Sequence, residues 1–242
     1  MIRFIITAAF VVLFLILGSP LLLIEHLIGK SDPEKKSRTS LKIVQWAFRR
    51  VIQCSGTTIT VNGRENIPDG QPVLYVGNHR SYFDIVIGYT LVKGECGFVA
   101  KKEMEKIPLL SHWMRNLHCL FLDRENVKEG LKTILTAIDY VKKGISIWIF
   151  PEGTRSKEEG MLPFKEGSFK IAEKTGCPII PVAISHTADI FENHFPRVKK
   201  AHVIFTFGEP IQTSQLTKEE KKALGVRVQK IIEDNIAAQH NI

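Results

Sequence analysis

The chain has 242 residues, 24% of them charged and 44% hydrophobic, enough for one large domain or for one domain with an appendage. Its formal net charge of +8 favours an anionic partner: a nucleic acid, an anionic lipid surface or a phosphorylated substrate. The four cysteines are scattered and show neither C-x-x-C nor Cys/His ligand spacing. This argues against a disulfide scaffold and a structural zinc site, and it is typical of a reducing compartment.

Residues 4–24 are uncharged and almost wholly apolar, and they match the length of about 20 residues that a helix needs to span a bilayer core. A retained membrane helix is favoured over a cleaved signal peptide, because no small-x-small cleavage site follows the apolar run. Gly18 and Pro20 predict a kink, so a half-inserted helix stays open. The basic residues that follow predict an inner (plasma) membrane location with the rest of the chain in the cytoplasm.

Three regions are expected along the chain: a membrane-anchoring helix (1–28), a linker with an interfacial helix (29–56) and a main domain (57–242). In the second region a polar joint at 29–39 leads into a helix at 41–53, where apolar residues recur at helical spacing. The basic residues and Trp46 of this helix suit the headgroup depth of a membrane. A helix that simply packs on the core fits the same pattern.

The main domain alternates short β-branched or apolar runs with helical patterns. Helices are predicted at 83–91, 126–142 and 168–174, and a last amphipathic helix follows a capping box formed by Thr217 and Glu220. This alternation predicts an α/β fold with a mostly parallel, buried sheet flanked by helices. The predicted strands are 58–61, 73–76, 97–100, 119–122, 145–150, 179–184 and 203–207.

A histidine and an aspartate stand five residues apart, directly after the predicted strand at 73–76. We expect His79 in the turn before a helix and Asp84 in its first turns, so that the carboxylate accepts the Nδ1–H and leaves Nε2 as a base. His118 and Asp123 have the same spacing, but a strand between them directs their side chains to opposite faces. A histidine that merely bridges the turn is the alternative for the first pair.

Polar groups that suit a phosphate follow other predicted strands. The turn after 145–150 reads Pro-Glu-Gly-Thr-Arg-Ser, and arginine can bind phosphate through two parallel hydrogen bonds. Ligands collect beyond the carboxyl ends of parallel strands, so we expect one shared rim. A surface ion pair of Glu152 with Arg155 is the alternative. The candidate residues at this rim are Lys101, Arg124, Glu152, Gly153, Thr154 and Arg155.

Four blocks of the chain resemble, in order and spacing, those of the glycerolipid acyltransferases: 78–84, 121–124, 150–156 and 179–182. The resemblance covers roughly residues 73–210. One departure is that Cys119-Leu120 stands where many members have a glycine before the Phe. The resemblance implies an acyltransferase catalytic domain over 57–242 that transfers an acyl group from acyl-CoA or acyl-carrier protein to the 2-hydroxyl of lysophosphatidate, without a metal or other cofactor.

The same resemblance implies roles for the candidate residues. His79 would be the general base and Asp84 its orienting partner, Arg124 would bind the phosphate, and the turn with Glu152 and Arg155 would shape the glycerol-phosphate pocket. Anionic membrane lipids are expected partners, and nucleic acid is not, since no basic stripe interleaved with aromatic residues is visible. The motif G-x-S-x-G is also absent, which argues against an α/β-hydrolase nucleophile. A different lysolipid acceptor, a membrane-associated hydrolase and a non-catalytic lipid-binding protein remain alternatives.

Overall fold

The computed structural model describes residues 1–157 and 160–239. Its helices are α1 Ile2–Leu17, α2 Ser19–Ser31, α3 Pro33–Ser55, α4 Tyr82–Leu91, α5 Leu110–Asn116, α6 Val127–Lys142, α7 Lys170–Thr175, α8 Lys218–Lys222 and α9 Leu224–Gln239. Its strands are β1 Thr58–Asn62, β2 Leu74–Gly77, β3 Cys96–Lys101, β4 Leu120–Leu122, β5 Ser146–Ile149, β6 Ile179–Ser185 and β7 His202–Phe207. Each predicted strand is confirmed, with ends that differ by at most one residue.

The strands form one sheet in the order β1-β7-β6-β2-β5-β3-β4. The β6–β7 pair is antiparallel and the other neighbours among these strands are parallel, which confirms the prediction of a mostly parallel sheet. β2 lies at the centre, between β5 and β6. The carboxyl ends of β2, β5, β6, β3 and β4 therefore meet at one edge, where ligands of such sheets bind.

Side chains of the central strands alternate between two cores, because successive residues of a strand point to opposite faces. Tyr75 of β2 and Trp148 of β5 belong to the core on the side of α3 and α4. Leu74 and Ile147 belong to the opposite core, on the side of α6, α7 and α9. The sheet is thus covered on both faces, as expected from its continuous hydrophobic strands.

The apolar N-terminal segment forms two helices rather than one. α1 and α2 meet at Gly18 with a bend of 46°, and Pro20 lies in the first turn of α2, where its missing N–H is tolerated. No single helix in the described part of the chain is long and apolar enough to cross a membrane, whereas this bent pair passes the same length and composition test. The kink predicted from Gly18 and Pro20 is confirmed.

The prediction of a polar joint at 29–39 is wrong, because this segment is almost wholly helical. α2 continues to Ser31 and α3 begins at Pro33, because Asp32 caps the new helix by accepting a hydrogen bond from the Lys35 backbone N–H at 2.8 Å. The inner face of α3 packs on the core, as the alternative interpretation of this helix expected, while Trp46 stays half exposed on the outer face.

Two further helical segments differ from the sequence prediction. α5 was not predicted; it is only seven residues long, too short for a clear helical periodicity. The capping box of Thr217 and Glu220 is present, but it starts the short α8, and a turn at Ala223 separates α8 from α9.

Candidate active site

The two polar sequence blocks lie side by side at the carboxyl edge of the sheet. His79 follows β2 and Glu152 follows β5, and these two strands pair in parallel. The backbone N–H of His79 donates a 2.7 Å hydrogen bond to Oε1 of Glu152, and the N–H of Ser156 donates to the His79 carbonyl at 2.9 Å. The two blocks therefore contact each other directly at one edge of the sheet, as predicted.

His79 and Asp84 form a hydrogen-bonded pair, as the five-residue spacing predicted. Nδ1 of His79 lies 2.7 Å from Oδ2 of Asp84, and the Asp84 side chain is fully buried while that of His79 is 14% exposed. An acceptor at Nδ1 fixes the tautomer with the proton on that nitrogen. Nε2 then carries the free lone pair, and it makes no hydrogen bond with any residue in 1–157 or 160–239.

The start of α4 holds the aspartate in place. Ser81 is the N-cap and accepts a hydrogen bond from the Phe83 N–H at 3.0 Å. Oδ2 of Asp84 also accepts from the backbone N–H groups of Arg80 and Ser81, both at 2.8 Å. Three N–H donors therefore converge on one carboxylate oxygen, which stabilises its negative charge next to the histidine.

The His79 ring is also fixed by stacking. It lies on the Phe150 ring with centroids 4.1 Å apart and planes 12° from parallel. The second His/Asp pair does not form: His118 is 3.4 Å from Glu95, and Asp123 pairs with Lys102 at 2.7 Å. The prediction that only the first pair meets is confirmed.

Glu152 is a buried carboxylate that joins three segments. Its Oε1 accepts from His79 and its Oε2 accepts from the Leu162 N–H at 2.9 Å. Desolvation by burial raises the pKa of Glu152, while these two backbone donors act in the opposite direction. The residue shapes the turn from within rather than pointing at solvent, and the alternative of a surface ion pair with Arg155 is wrong.

Gly153 gives this turn its conformation. Its φ is +76°, in the left-handed region, and its N–H donates to the Phe150 carbonyl at 3.0 Å. A Cβ at this position would lie 2.7 Å from Nζ of Lys165, so the lysine head packs directly on the glycine. Thr154, the next residue, is exposed at the rim.

The predicted cations Lys101 and Arg124 lie away from the histidine. β3 is the second strand from β2 and β4 the third, so at about 4.8 Å per strand their ends are roughly 10 and 14 Å from that of β2. Lys101 is 2.9 Å from Glu103, and both side chains are more than half exposed. The hydrogen bond from Lys101 lowers the pKa of Glu103, and the positive charge of Arg124 lowers it further.

Arg155 has a carboxylate partner that the sequence did not reveal. Its Nη1 donates to Oε1 of Glu192 at 2.8 Å, and its Cζ lies 3.9 Å from the centre of the Tyr82 ring. Glu192 lies in the loop between β6 and β7, 37 residues further along the chain. No local pattern marks it, since a single glutamate in a polar loop is usually solvated.

Similarity to known proteins identifies the family of this chain. The Acyltransferase family model matches residues 58–185, more than half of the chain. The chain belongs to the acyltransferase family. The resemblance in the four sequence blocks is thereby confirmed.

Several curated relatives are 1-acyl-sn-glycerol-3-phosphate acyltransferases. That of Saccharomyces cerevisiae is 33% identical over 74% of this chain and 61% of its own length. The Escherichia coli protein is 36% identical over 68% of this chain and 66% of its own length, and the Haemophilus influenzae protein 32% over 84% of each. The chain therefore covers slightly less than two thirds of the first relatives. The crystal structure of the Thermotoga maritima 1-acyl-sn-glycerophosphate acyltransferase superposes with a TM-score of 0.85 and 27% identity, covering 98% of this chain and 95% of that one.

The sequence departs from the family pattern at Cys119-Leu120. Cys119 is buried, with its Sγ 3.0 Å from the Tyr89 hydroxyl. On the neighbouring strand the backbones approach closely, since a Cβ on Gly97 would lie 2.1 Å from the His118 carbonyl oxygen. Arg124 keeps its place after β4.

Proposed function

We propose that this protein transfers an acyl group from acyl-CoA or acyl-carrier protein to the sn-2 hydroxyl of lysophosphatidate, forming phosphatidate for phospholipid synthesis. The observation that carries the proposal is the 2.7 Å His79–Asp84 pair at the edge of an acyltransferase sheet, with an Nε2 that no described residue bonds. The names of the curated relatives support lysophosphatidate as the acceptor.

The pair supports general-base catalysis without a covalent intermediate. Nε2 of His79 takes the hydroxyl proton while the acceptor oxygen attacks the thioester carbonyl, and Asp84 stabilises the imidazolium that forms. The tetrahedral oxyanion then collapses, the C–S bond breaks, and the imidazolium returns its proton to the leaving thiolate. The acyl group ends on oxygen and the proton on sulfur, so the reaction balances and needs no metal or cofactor.

The acceptor phosphate would bind among the rim cations. Arg155 has five N–H donors, one of which is bonded to Glu192 within the described residues, so further donors can meet a phosphate. Lys101 and Arg124 would add positive charge from a greater distance, at the ends of the second and third strands from β2. Glu152, Gly153 and Thr154 would shape the pocket around the glycerol.

The bent pair α1 and α2 would attach the protein to the cytoplasmic face of the inner membrane. Most of its large apolar side chains are exposed: Ile2 is 75% exposed, Leu17 70% and Leu23 62%. An apolar surface of this extent marks a membrane or protein contact. Lys30 lies in the last turn of α2, and Lys35, Lys36 and Arg38 lie in the first turns of α3. Their positive charge favours anionic lipids. Attachment suits the reaction because both substrates are amphiphiles.

The test is acyl transfer by detergent-purified protein from labelled acyl-CoA or acyl-carrier protein. The acceptors offered are lysophosphatidate, glycerol 3-phosphate and a lysophospholipid with a larger headgroup. We expect labelled phosphatidate from wild type and none from His79→Ala, with His118→Ala as the active control. Free fatty acid released without an acceptor would indicate a hydrolase. Equal activity of His79→Ala would exclude the mechanism, and a product only from another acceptor would change the substrate.

A further inference from the structure

Resting on the proposed function, we propose that Glu192 is a positioning residue, which sets the direction of the Arg155 guanidinium and so controls the affinity for the phosphate of the acyl acceptor. Glu192 lies outside the four sequence blocks that characterise the family, ten residues beyond the end of the last block. Its effect would be exerted through Arg155 and not on the reacting atoms.

Glu192 connects three segments of the site with a single carboxylate. Its Oε1 accepts from the Tyr82 backbone N–H at 2.9 Å and from Nη1 of Arg155 at 2.8 Å. Its Oε2 accepts from the Ser81 hydroxyl at 2.7 Å. The carboxylate thus sits at the N-terminus of α4, where the helix dipole favours negative charge. Its partner Ser81 is the N-cap of this helix, three residues before Asp84.

Arg155 is held from two sides. Glu192 binds its Nη1, and the Tyr82 ring lies under its Cζ at 3.9 Å, a cation–π contact. The Arg155 side chain is 34% exposed and that of Glu192 20%, so the pair is shielded more than a surface ion pair. An arginine held in this way presents its remaining donors in a fixed fork, which lowers the entropy lost when a phosphate binds.

The loop that carries Glu192 is itself braced. The ring of Phe191 stacks on Phe4 of α1, with centroids 5.7 Å apart and planes 7° from parallel. The N–H of Asn193 donates to the Ala188 carbonyl at 3.0 Å, and that of Lys199 to the Ile190 carbonyl at 2.9 Å. Because these contacts hold the loop at both ends, we expect Glu192 to stay bound to Arg155 when the substrate binds.

The experiment measures KM for lysophosphatidate and kcat separately in the acyl-transfer assay. Glu192→Ala should raise KM about 10-fold, the equivalent of one charge-assisted hydrogen bond, and leave kcat within about 3-fold. Glu192→Gln should recover much of the wild-type KM, because its amide oxygen can accept from Tyr82 and Arg155. Glu209→Ala, which removes an exposed carboxylate elsewhere, is the matched control and should behave as wild type.

A double-mutant cycle with Arg155→Ala separates positioning from a general structural role. If Glu192 acts through Arg155, then Glu192→Ala should add little to the KM of Arg155→Ala, whereas independent effects would multiply. If Glu192→Ala loses its thermal unfolding transition, the same cycle is run with Glu192→Asp, whose shorter side chain keeps the charge but cannot contact Tyr82 and Arg155 together. A KM increase that needs Arg155 then supports the proposal.

Three results would overturn the inference: an unchanged KM, a lowered KM, which would mean that Glu192 competes with the phosphate, or effects that multiply in the cycle. Wild type is measured first in the same assay. Failure of the proposed function would therefore appear as a wild type inactive on lysophosphatidate, and failure of this inference only in the variants.

Discussion

At the scale of single residues, the site depends on two buried carboxylates with different tasks. Asp84 receives three N–H donors on one oxygen, one of them from the His79 ring. Glu152 receives two donors, one on each oxygen, and desolvation raises its pKa. The first carboxylate orients the His79 ring, and the second joins the two sequence blocks into one site.

Replacing Asp84 by asparagine should lower kcat by about 10²- to 10⁴-fold, because the amide neither stabilises the imidazolium nor fixes the His79 tautomer. The side chain keeps its size, so the thermal unfolding temperature should change little. Steady-state acyl transfer and calorimetry on the same preparation check both points. A variant with wild-type kcat would show that His79 does not need the carboxylate.

Because the pKa of Glu152 is raised in the folded state, the stability of the protein should depend on pH. The folded state holds the Glu152 proton to a higher pH than the unfolded chain, whose glutamate titrates near about 4.3. Between these two values folding takes up a proton, so the contribution of Glu152 to stability is largest below about 4.3 and falls as pH rises through the raised pKa.

The unfolding free energy of wild type, measured relative to that of Glu152→Gln, should therefore decrease as pH rises across this window. Urea unfolding of both proteins at a series of pH values measures the difference. Glu220→Gln is the opposite control, since hydrogen bonds with Thr217 lower the pKa of Glu220. If the unfolding free energy of wild type relative to Glu152→Gln instead increased with pH, the pKa of Glu152 would not be raised in the folded state.

At the scale of elements, the site is built from strand ends and the turns that follow them. The turn after β5 reverses at Gly153 and returns a donor, the Leu162 N–H, to Glu152. The turn after β2 leads directly into α4, whose first residues supply the donors for Asp84. His79 lies two residues after β2 and Glu152 three residues after β5, so the strands themselves fix the positions of these groups.

Gly153→Ala should cost about 1 kcal/mol of stability, because alanine disfavours the positive φ of this position. It should also lower activity, because the new methyl group displaces the head of Lys165 and distorts the turn. Gly144→Ala is the matched control: its φ is +87°, it follows α6, and a Cβ there meets nothing within 4 Å. Both variants should lose similar stability in thermal unfolding, and only Gly153→Ala should lose acyl transfer. Equal activity of the two would mean that the turn tolerates the change.

At the scale of the whole molecule, one face of the fold remains apolar. α1 and α2 pack on α3 through their inner sides and leave their outer sides exposed. The N-terminus of α1 is tied down by Arg3, whose Nη1 donates to the Ser55 carbonyl at 3.3 Å, and by the stack of Phe4 on Phe191. The proposed membrane contact is therefore attached to the loop that carries Glu192.

Polar substitutions on this face should weaken membrane attachment without changing the site. The triple variant Val12→Gln, Ile16→Gln and Leu23→Gln alters residues that are 53%, 55% and 62% exposed. It should lose most of its binding to anionic vesicles in a sedimentation assay, while activity on detergent-dispersed lysophosphatidate stays near wild type. Val226→Gln, 72% exposed on α9, should keep wild-type binding. Equal sedimentation of all three proteins would place the membrane contact elsewhere.

The amino-acid sequence by itself determined the strands, the order of the main helices and the pairing of His79 with Asp84, because these depend on short-range periodicity, turn residues and helix capping. Only the tertiary structure decided which groups meet across the rim. Glu192 reaches Ser81 across 111 residues and Arg155 across 37, and the strand order moves Lys101 and Arg124 away from the histidine. The joint at 29–39 became helical through the Asp32 cap and through packing of α3 on the core. Such contacts follow from the order of strands in the sheet and from burial, which a local pattern does not encode.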